Sequence, residues 1–181
     1  NLEQCDQGEV TIGNEEKISF VFQEPRLMPW LSVYKNITFG LDKKMVNVGE
    51  TKELMNLIGL EKFEKAYPRQ LSGGMQQRVA LARALAYDPS IILMDEPFAA
   101  LDYFTREAMQ KELIRINRLK KKTIIFVTHS IEEAMAIGQN IFVFNEGGLH
   151  ARFNLESFEY PRDVLSPSLI EIKKEILTKL A

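Results

Sequence analysis

The sequence predicts an α/β protein in which a parallel sheet carries helices on its faces and a helical lobe is inserted after the first strand. Two observations point there. Short apolar runs rich in β-branched residues alternate with helical periodicities after residue 88, and uninterrupted apolar runs are the mark of strands in a covered parallel sheet. Between about residues 25 and 87 the pattern is helical throughout, with no strand signal.

In chain order, Ile18-Ser19-Phe20-Val21-Phe22 reads as a strand, stopped at Gln23-Glu24-Pro25 because proline cannot donate to a ladder. Val33 to Phe39, Thr51 to Ile58 and Met75 to Ala86 read as helices, the first two separated by Gly40 and Gly49. Asp88-Pro89 marks the change of texture. Ile91 to Met94 is a strand followed by acids, and Thr105 to Leu119 is a helix with Met109, Leu113 and Ile116 on one face. Thr123 to Thr128 is a strand, Ile131 to Ile137 a helix and Ile141 to Asn145 a strand. Pro161 and Pro167 fall in a loop before a terminal amphipathic helix with Leu169, Ile172, Ile176 and Leu180 at helical spacing. This organisation assigns residues 1–24 and 88–181 to an α/β core and residues 25–87 to the helical subdomain.

Composition narrows the function classes. The 181 residues are 45% hydrophobic and 27% charged, values of a globular domain rather than a disordered or collagenous chain. The single cysteine, Cys5, excludes an intrachain disulfide and a cysteine-rich metal site. A net charge of −2 gives no general attraction to nucleic acid or anionic lipid. The apolar runs are far shorter than the ~20 residues that span a bilayer.

Chemistry-bearing residues gather at predicted strand and helix ends. Leu71-Ser72-Gly73-Gly74-Met75-Gln76-Gln77-Arg78 puts two glycines at a helix entry, where free amides and the helix dipole favour an anion such as phosphate. An ordinary serine cap with a glycine turn has the same local pattern. Asp95 lies 21 residues after Gly74, one helix and one strand away. Asp95 and Glu96 emerge at the carboxyl end of an apolar strand, where open α/β sheets bind ligands. Alternation of side chains makes a shared-proton pair unexpected, so one acid can serve a magnesium ion while the other orients a water. His129 ends the next strand, and Gln23 ends the first. Taken alone, each has a structural reading: solvated acids, a satisfied histidine, or, for Asp102, a helix cap.

Together these motifs resemble the ATP-binding subunit of an ABC transporter, from about Glu9 to the end of the chain. Leu71 to Gln77 is similar to the family signature, Ile91 to Glu96 to the Walker B strand and its glutamate, and Ala100-Leu101-Asp102 to the D-loop. Gln23 matches the Q-loop glutamine and His129 the switch histidine. The resemblance implies a P-loop NTPase (RecA-like) core with an inserted ABC helical subdomain, and ATP and Mg2+ as ligands. It implies Glu96, His129 and Gln23 as catalytic residues, Asp95 and Gln23 at the metal, and Ser72, Gly73, Gly74, Gln76 and Asp102 at nucleotide. Positioning and electrostatics would dominate such phosphoryl transfer.

A narrower likeness lies in Val21 to Trp30 and in Pro161-Arg162-Asp163 with Ser166-Pro167, which resemble importer ATPases for nitrate, alkanesulfonates, taurine or related solutes. It implies transmembrane permease subunits as partners, a head-to-tail second ATPase subunit, an indirect solute-binding protein, and a peripheral place on the cytoplasmic face of the membrane. Trp30 and its neighbours from Leu27 to Val33 then resemble the groove for a permease helix.

Such ATPases also carry a phosphate-binding loop, Gly-x-x-x-x-Gly-Lys-Ser/Thr, and no glycine in this chain is followed by lysine. The expectation is that the chain, with Asn1 and no initiator methionine, starts just after the helix that follows this loop. The strand, loop and helix would be at least roughly 25 residues, lying outside this sequence, cut away or lost in nature. The main reading is an importer ATPase lacking this segment and inactive alone. The runner-up is a non-catalytic permease-interaction module. A chromosome-maintenance ATPase is disfavoured because only 48 residues separate Gln23 from Ser72, too few for a long coiled-coil arm.

Overall fold

The computed structural model describes residues 8–9, 11–13, 16–42, 44, 46–145 and 147–180. Cys5 and the stretch from Asn1 to Gln7 lie outside them.

Strands β1 (Ile18–Val21), β2 (Ile91–Asp95) and β3 (Thr123–Val127) form a parallel sheet in the order β1-β2-β3. The register aligns Ile18 with Ile91 and Ile91 with Thr123, so the three carboxyl ends are level, with Val21 beside Met94 and Asp95 beside Val127. One sheet face is buried: Val21, Ile92 and Met94 lie under α3 (Gly73–Ala86) and α4 (Tyr103–Lys120). On the other face Phe20, Ile125 and Val127 are each more than half exposed. The expectation of strands covered on both faces therefore holds, among the described residues, for one face only.

The helical segment consists of α1 (Val33–Ile37), α2 (Val48–Leu57), two single 3-10 turns and α3. Its boundaries follow the caps. Asn47 Oδ1 accepts from Gly49 N at 2.9 Å, which starts α2 three residues before the predicted Thr51. Ser72 Oγ accepts from Met75 N at 3.3 Å and draws both glycines into α3. Val33, Ile37, Met55 and Ile58 join Val79, Leu85, Ile92, Met109, Leu113 and Ile116 in one buried cluster, so apolar packing runs continuously from the inserted helices to the sheet. Polar ties reinforce it: Arg78 Nη1 donates to Ile58 O at 3.5 Å and Arg115 to Leu57 O, two cations on the final carbonyls of α2.

After α5 (Ile131–Ile137), β4 (Asn140–Asn145) pairs antiparallel with β5 (Gly148–Asn154). β5 is absent from the sequence reading. Its signal was the alternation of Leu149, Ala151 and Phe153 after Gly147-Gly148. A second apolar cluster of Met135, Ile141, Val143, Leu155, Leu169 and Ile176 joins this hairpin to α5 and to α6 (Pro167–Leu180). Pro167 is the first residue of α6 rather than loop, as suits a position whose N–H has no helical partner. Leu180, expected on the docked face, is exposed at the last turn.

Arg162 locks the turn before α6, donating to Leu155 O (2.8 Å), Phe158 O (3.1 Å), Met135 O (2.9 Å) and Gly138 O. Two of these carbonyls close the C-terminus of α5, where a cation is favoured. Burial holds the Arg162 guanidinium below its usual pKa. No described helix is long and apolar enough to cross a membrane.

Leu113→Ala, at a site 4% exposed, is expected to cost about 2–5 kcal/mol through transfer and cavity terms. Leu165→Ala, 76% exposed, should stay within about 0.5 kcal/mol. Urea unfolding of the two variants checks the contrast.

Candidate active site at the sheet edge

Level strand ends bring Gln23, Asp95, Glu96 and His129 to one edge of the sheet. Gln23 follows β1 by two residues, and its backbone carbonyl accepts from Gln77 Nε2 at 3.0 Å. The same amide donates to Phe22 O at 3.4 Å and to Pro97 O. Gln77 is 3% exposed, so this one side chain on α3 fixes the backbone that follows both β1 and β2.

Asp95 closes β2 and is exposed. At Glu96 the chain turns into the left-handed region, with φ 42°, a conformation that costs a residue with a side chain on the order of 1–3 kcal/mol. Glu96 N still donates to Val127 O at 2.9 Å, which anchors the turn to the end of β3. The Glu96 carboxylate meets His129: Oε2 lies 3.0 Å from Nδ1, an ion pair when the imidazole is protonated and a hydrogen bond from the neutral imidazole to the carboxylate when Nδ1 carries the single proton. The pair borders a small polar cavity lined also by Ala99, Arg106, Thr128, Ser130 and Glu133.

The signature residues form a second group, where the N-termini of α3 and α4 meet. A Cβ on Gly74 would stand 2.4 Å from Thr105 Cγ2, whereas one on Gly73 would meet Leu101 Cδ2 at an ordinary 3.7 Å. Gly74 is thus required by helix packing. Ser72 and Gly73 remain exposed at the amide end of a 14-residue helix, a setting suited to an anion. Asp102 caps α4, accepting from Thr105 N at 3.0 Å, and hydrogen bonds from Thr105 hold its carboxyl below the usual range. Gln76 Nε2 donates to Pro68 O (3.1 Å) and Leu71 O (3.3 Å), so it braces the turn that presents Ser72.

The buried bracing roles of three polar residues were not read from the sequence. Besides Gln77, Glu133 accepts from Thr128 Oγ1 and Gln110 Nε2 next to His129. Asn36, fully buried, accepts from Met28 N at 2.8 Å and donates to Leu31 O at 3.0 Å and Ser32 O at 3.1 Å. That network shapes the turn on which Trp30 stands 70% exposed. The available signal was only a polar residue on an otherwise apolar helical face.

A family profile described as ABC transporter matches residues 2–99. The chain belongs to the ABC transporter family. Family members similar to it include the uncharacterized ABC transporter ATP-binding protein MJ0412 of Methanocaldococcus jannaschii, 49% identical over 166 residues, covering 88% of this chain and 62% of that protein. The aliphatic sulfonates import ATP-binding protein SsuB of Bacillus cereus is 44% identical over 180 residues, covering 94% of this chain and 71% of that protein. The taurine import ATP-binding protein TauB of Rhizobium johnstonii is 44% identical, covering 86% and 64%. The chain therefore spans about two thirds of the length of these relatives.

Among solved structures, the dimeric post-hydrolysis state of the ATP-binding cassette MJ0796 bound to ADP and Pi aligns with a TM-score of 0.64 at 38% identity, covering 77% of this chain and 63% of that one. The cbiO1 protein of Clostridium perfringens, part of the transporter complex cbiONQ, aligns at 0.71 and 28% identity, covering 88% and 63%. These neighbours support the expected P-loop NTPase fold.

Gly74→Ala should destabilise the chain by about 1–3 kcal/mol through overpacking on Thr105, and Thr105→Ser, which removes Cγ2, should restore most of that loss. Gly73→Ala should be close to neutral. Thermal and denaturant unfolding of the single and double variants provide the cycle.

Proposed function

We propose that the chain is the ATP-hydrolysing part of an importer for a small solute such as a sulfonate, taurine or nitrate. The observation that carries this reading is the Glu96–His129 contact at the end of the Walker B strand, with Gln23 and Asp95 at the same sheet edge. Identity to the sulfonate and taurine import relatives supports the solute class.

Bound Mg-ATP supplies the phosphoryl group and the charge neutralisation that its transfer needs. Magnesium keeps several waters and takes one or two protein oxygens beside phosphate, and the exposed Asp95 carboxylate with the Gln23 side-chain oxygen fits that demand. Glu96 orients and polarises the attacking water. His129 keeps Glu96 in place through Nδ1 and directs its other ring nitrogen to the γ-phosphate. Ser72, Gly73 and Gly74 of one copy offer amides and a hydroxyl to nucleotide on a second, head-to-tail copy, and Asp102 and Gln76 hold those helix ends in shape. The dimeric MJ0796 neighbour supports such a pair.

Trp30, held outward by Asn36, is assigned to a permease helix, and the assembly to the cytoplasmic face of the membrane, where a solute-binding protein acts from the far side. The division into a core of 1–24 and 88–181 and a signature lobe of 25–87 belongs to this reading, with α3 as the joint between them.

A second reading, a permease-interaction module that does not hydrolyse ATP by itself, is favoured by one fact: no glycine is followed by lysine, so the usual phosphate cradle is not among these residues. The 181-residue chain alone is accordingly expected to show no micromolar Mg-ATP binding by calorimetry. In protein that carries the cradle, Glu96→Gln should retain ATP binding and lose on the order of 10²–10⁴-fold in turnover. Unchanged turnover would remove Glu96 from its assigned role.

A further inference from the structure

We infer that Glu133 is a positioning residue for the His129 imidazole. The inference rests on the reading above for the importance of His129, although the geometry behind it is independent of that reading. Glu133 is 5% exposed, and a buried carboxylate is retained at such a place only where hydrogen bonds replace its water.

Its bonds converge on the two residues that flank His129. Oε2 accepts from Thr128 Oγ1 at 2.6 Å, and Thr128 Oγ1 in turn accepts from Ser130 N at 3.0 Å. Glu133 N donates to Ser130 Oγ at 3.3 Å. Oε1 accepts from Gln110 Nε2 at 3.3 Å, which ties the loop to α4, the helix capped by Asp102.

A helix cap alone does not explain this arrangement. Ser130-x-x-Glu133 has the spacing of a capping box, in which the glutamate reaches back to the backbone N–H of the capping serine. Here Thr128 has taken that N–H. The Glu133 carboxylate is released from capping and instead holds the threonine hydroxyl and the neighbouring helix. His129 itself is 75% exposed at its side chain, so little apolar packing orients it; its place opposite Glu96 follows from the clamped backbone on either side. Arg106 and Glu133 line the same cavity as Glu96 and His129.

The test uses the imidazole nitrogen resonances of the 181-residue chain. It has two histidines, and His150, on β5, serves as the internal reference. In Glu133→Ala the His129 nitrogen signals are expected to shift toward those of a free, tautomer-averaged imidazole, with His150 unmoved. Thr128→Val, nearly isosteric and lacking the hydroxyl, should produce the same shift. Glu133→Gln, which keeps an acceptor oxygen for Thr128, should retain the native signals. Unmoved His129 signals in a folded Glu133→Ala or Thr128→Val protein would overturn the inference, as would a Glu133→Gln shift as large as that of alanine. Should Glu133→Ala not fold, the Thr128→Val result decides. Failure of the hydrolytic reading would appear separately, as turnover that survives His129→Ala in protein carrying the phosphate cradle.

Discussion

The register of β2 against its two neighbours is the constraint on which the rest of the molecule depends. Parallel pairing makes all three strands end on the same side, and the alignment of Asp95 with Val127 makes the ends of β2 and β3 level. A one-residue slip would turn Ile92 and Met94 out of the core and move Asp95 and Glu96 away from His129 at the same time. Packing and chemistry are thus held by one set of backbone hydrogen bonds, and the buried apolar face enforces the register that the polar edge needs.

Around that sheet the loops are held by buried or half-buried polar side chains as well as by apolar contacts such as those of Phe98 and Leu155. Gln77 spans the backbone after β1 and after β2, Asn36 closes the Trp30 turn, Glu133 clamps the His129 loop and Arg162 gathers carbonyls before α6. The reason is common to all four. A loop forms no regular ladder of its own, yet its backbone carbonyls and amides still need partners. One amide, carboxylate or guanidinium can satisfy several of them at once. Satisfaction is not complete, since Gln77 Oε1 is buried without a hydrogen-bond partner.

The candidate functional residues divide into two groups. The sheet edge gathers carboxylates and the histidine, while the junction of α3 and α4 offers an exposed serine and helix amides. Gly74 lets these helices touch, and Gln77 on α3 reaches back to the strand ends. Helix α3 thus carries both the anion-favouring terminus and the side chain that reaches the acid-bearing edge.

Much of this was legible in the sequence. The apolar runs at Ile91 to Met94 and Thr123 to Val127, the glycine pair after Ser72 and the acids after Met94 have local signatures, because strand pairing and helix entry depend on neighbours in sequence. These placed the parallel sheet, the helix order and the candidate site residues Gln23, Asp95, Glu96 and His129 at strand ends, and they carried the resemblance to the ABC transporter family. Tertiary structure decided what depends on residues far apart in the chain. It set the left-handed turn at Glu96, the contact of Glu96 with His129, the exposure of one sheet face, the pairing of β5, and the partners of Gln77, Asn36 and Glu133. A buried polar residue does not disclose its partners in sequence: Gln77 reads as the end of the signature run, and only the fold brings a carbonyl from 54 residues away to its amide.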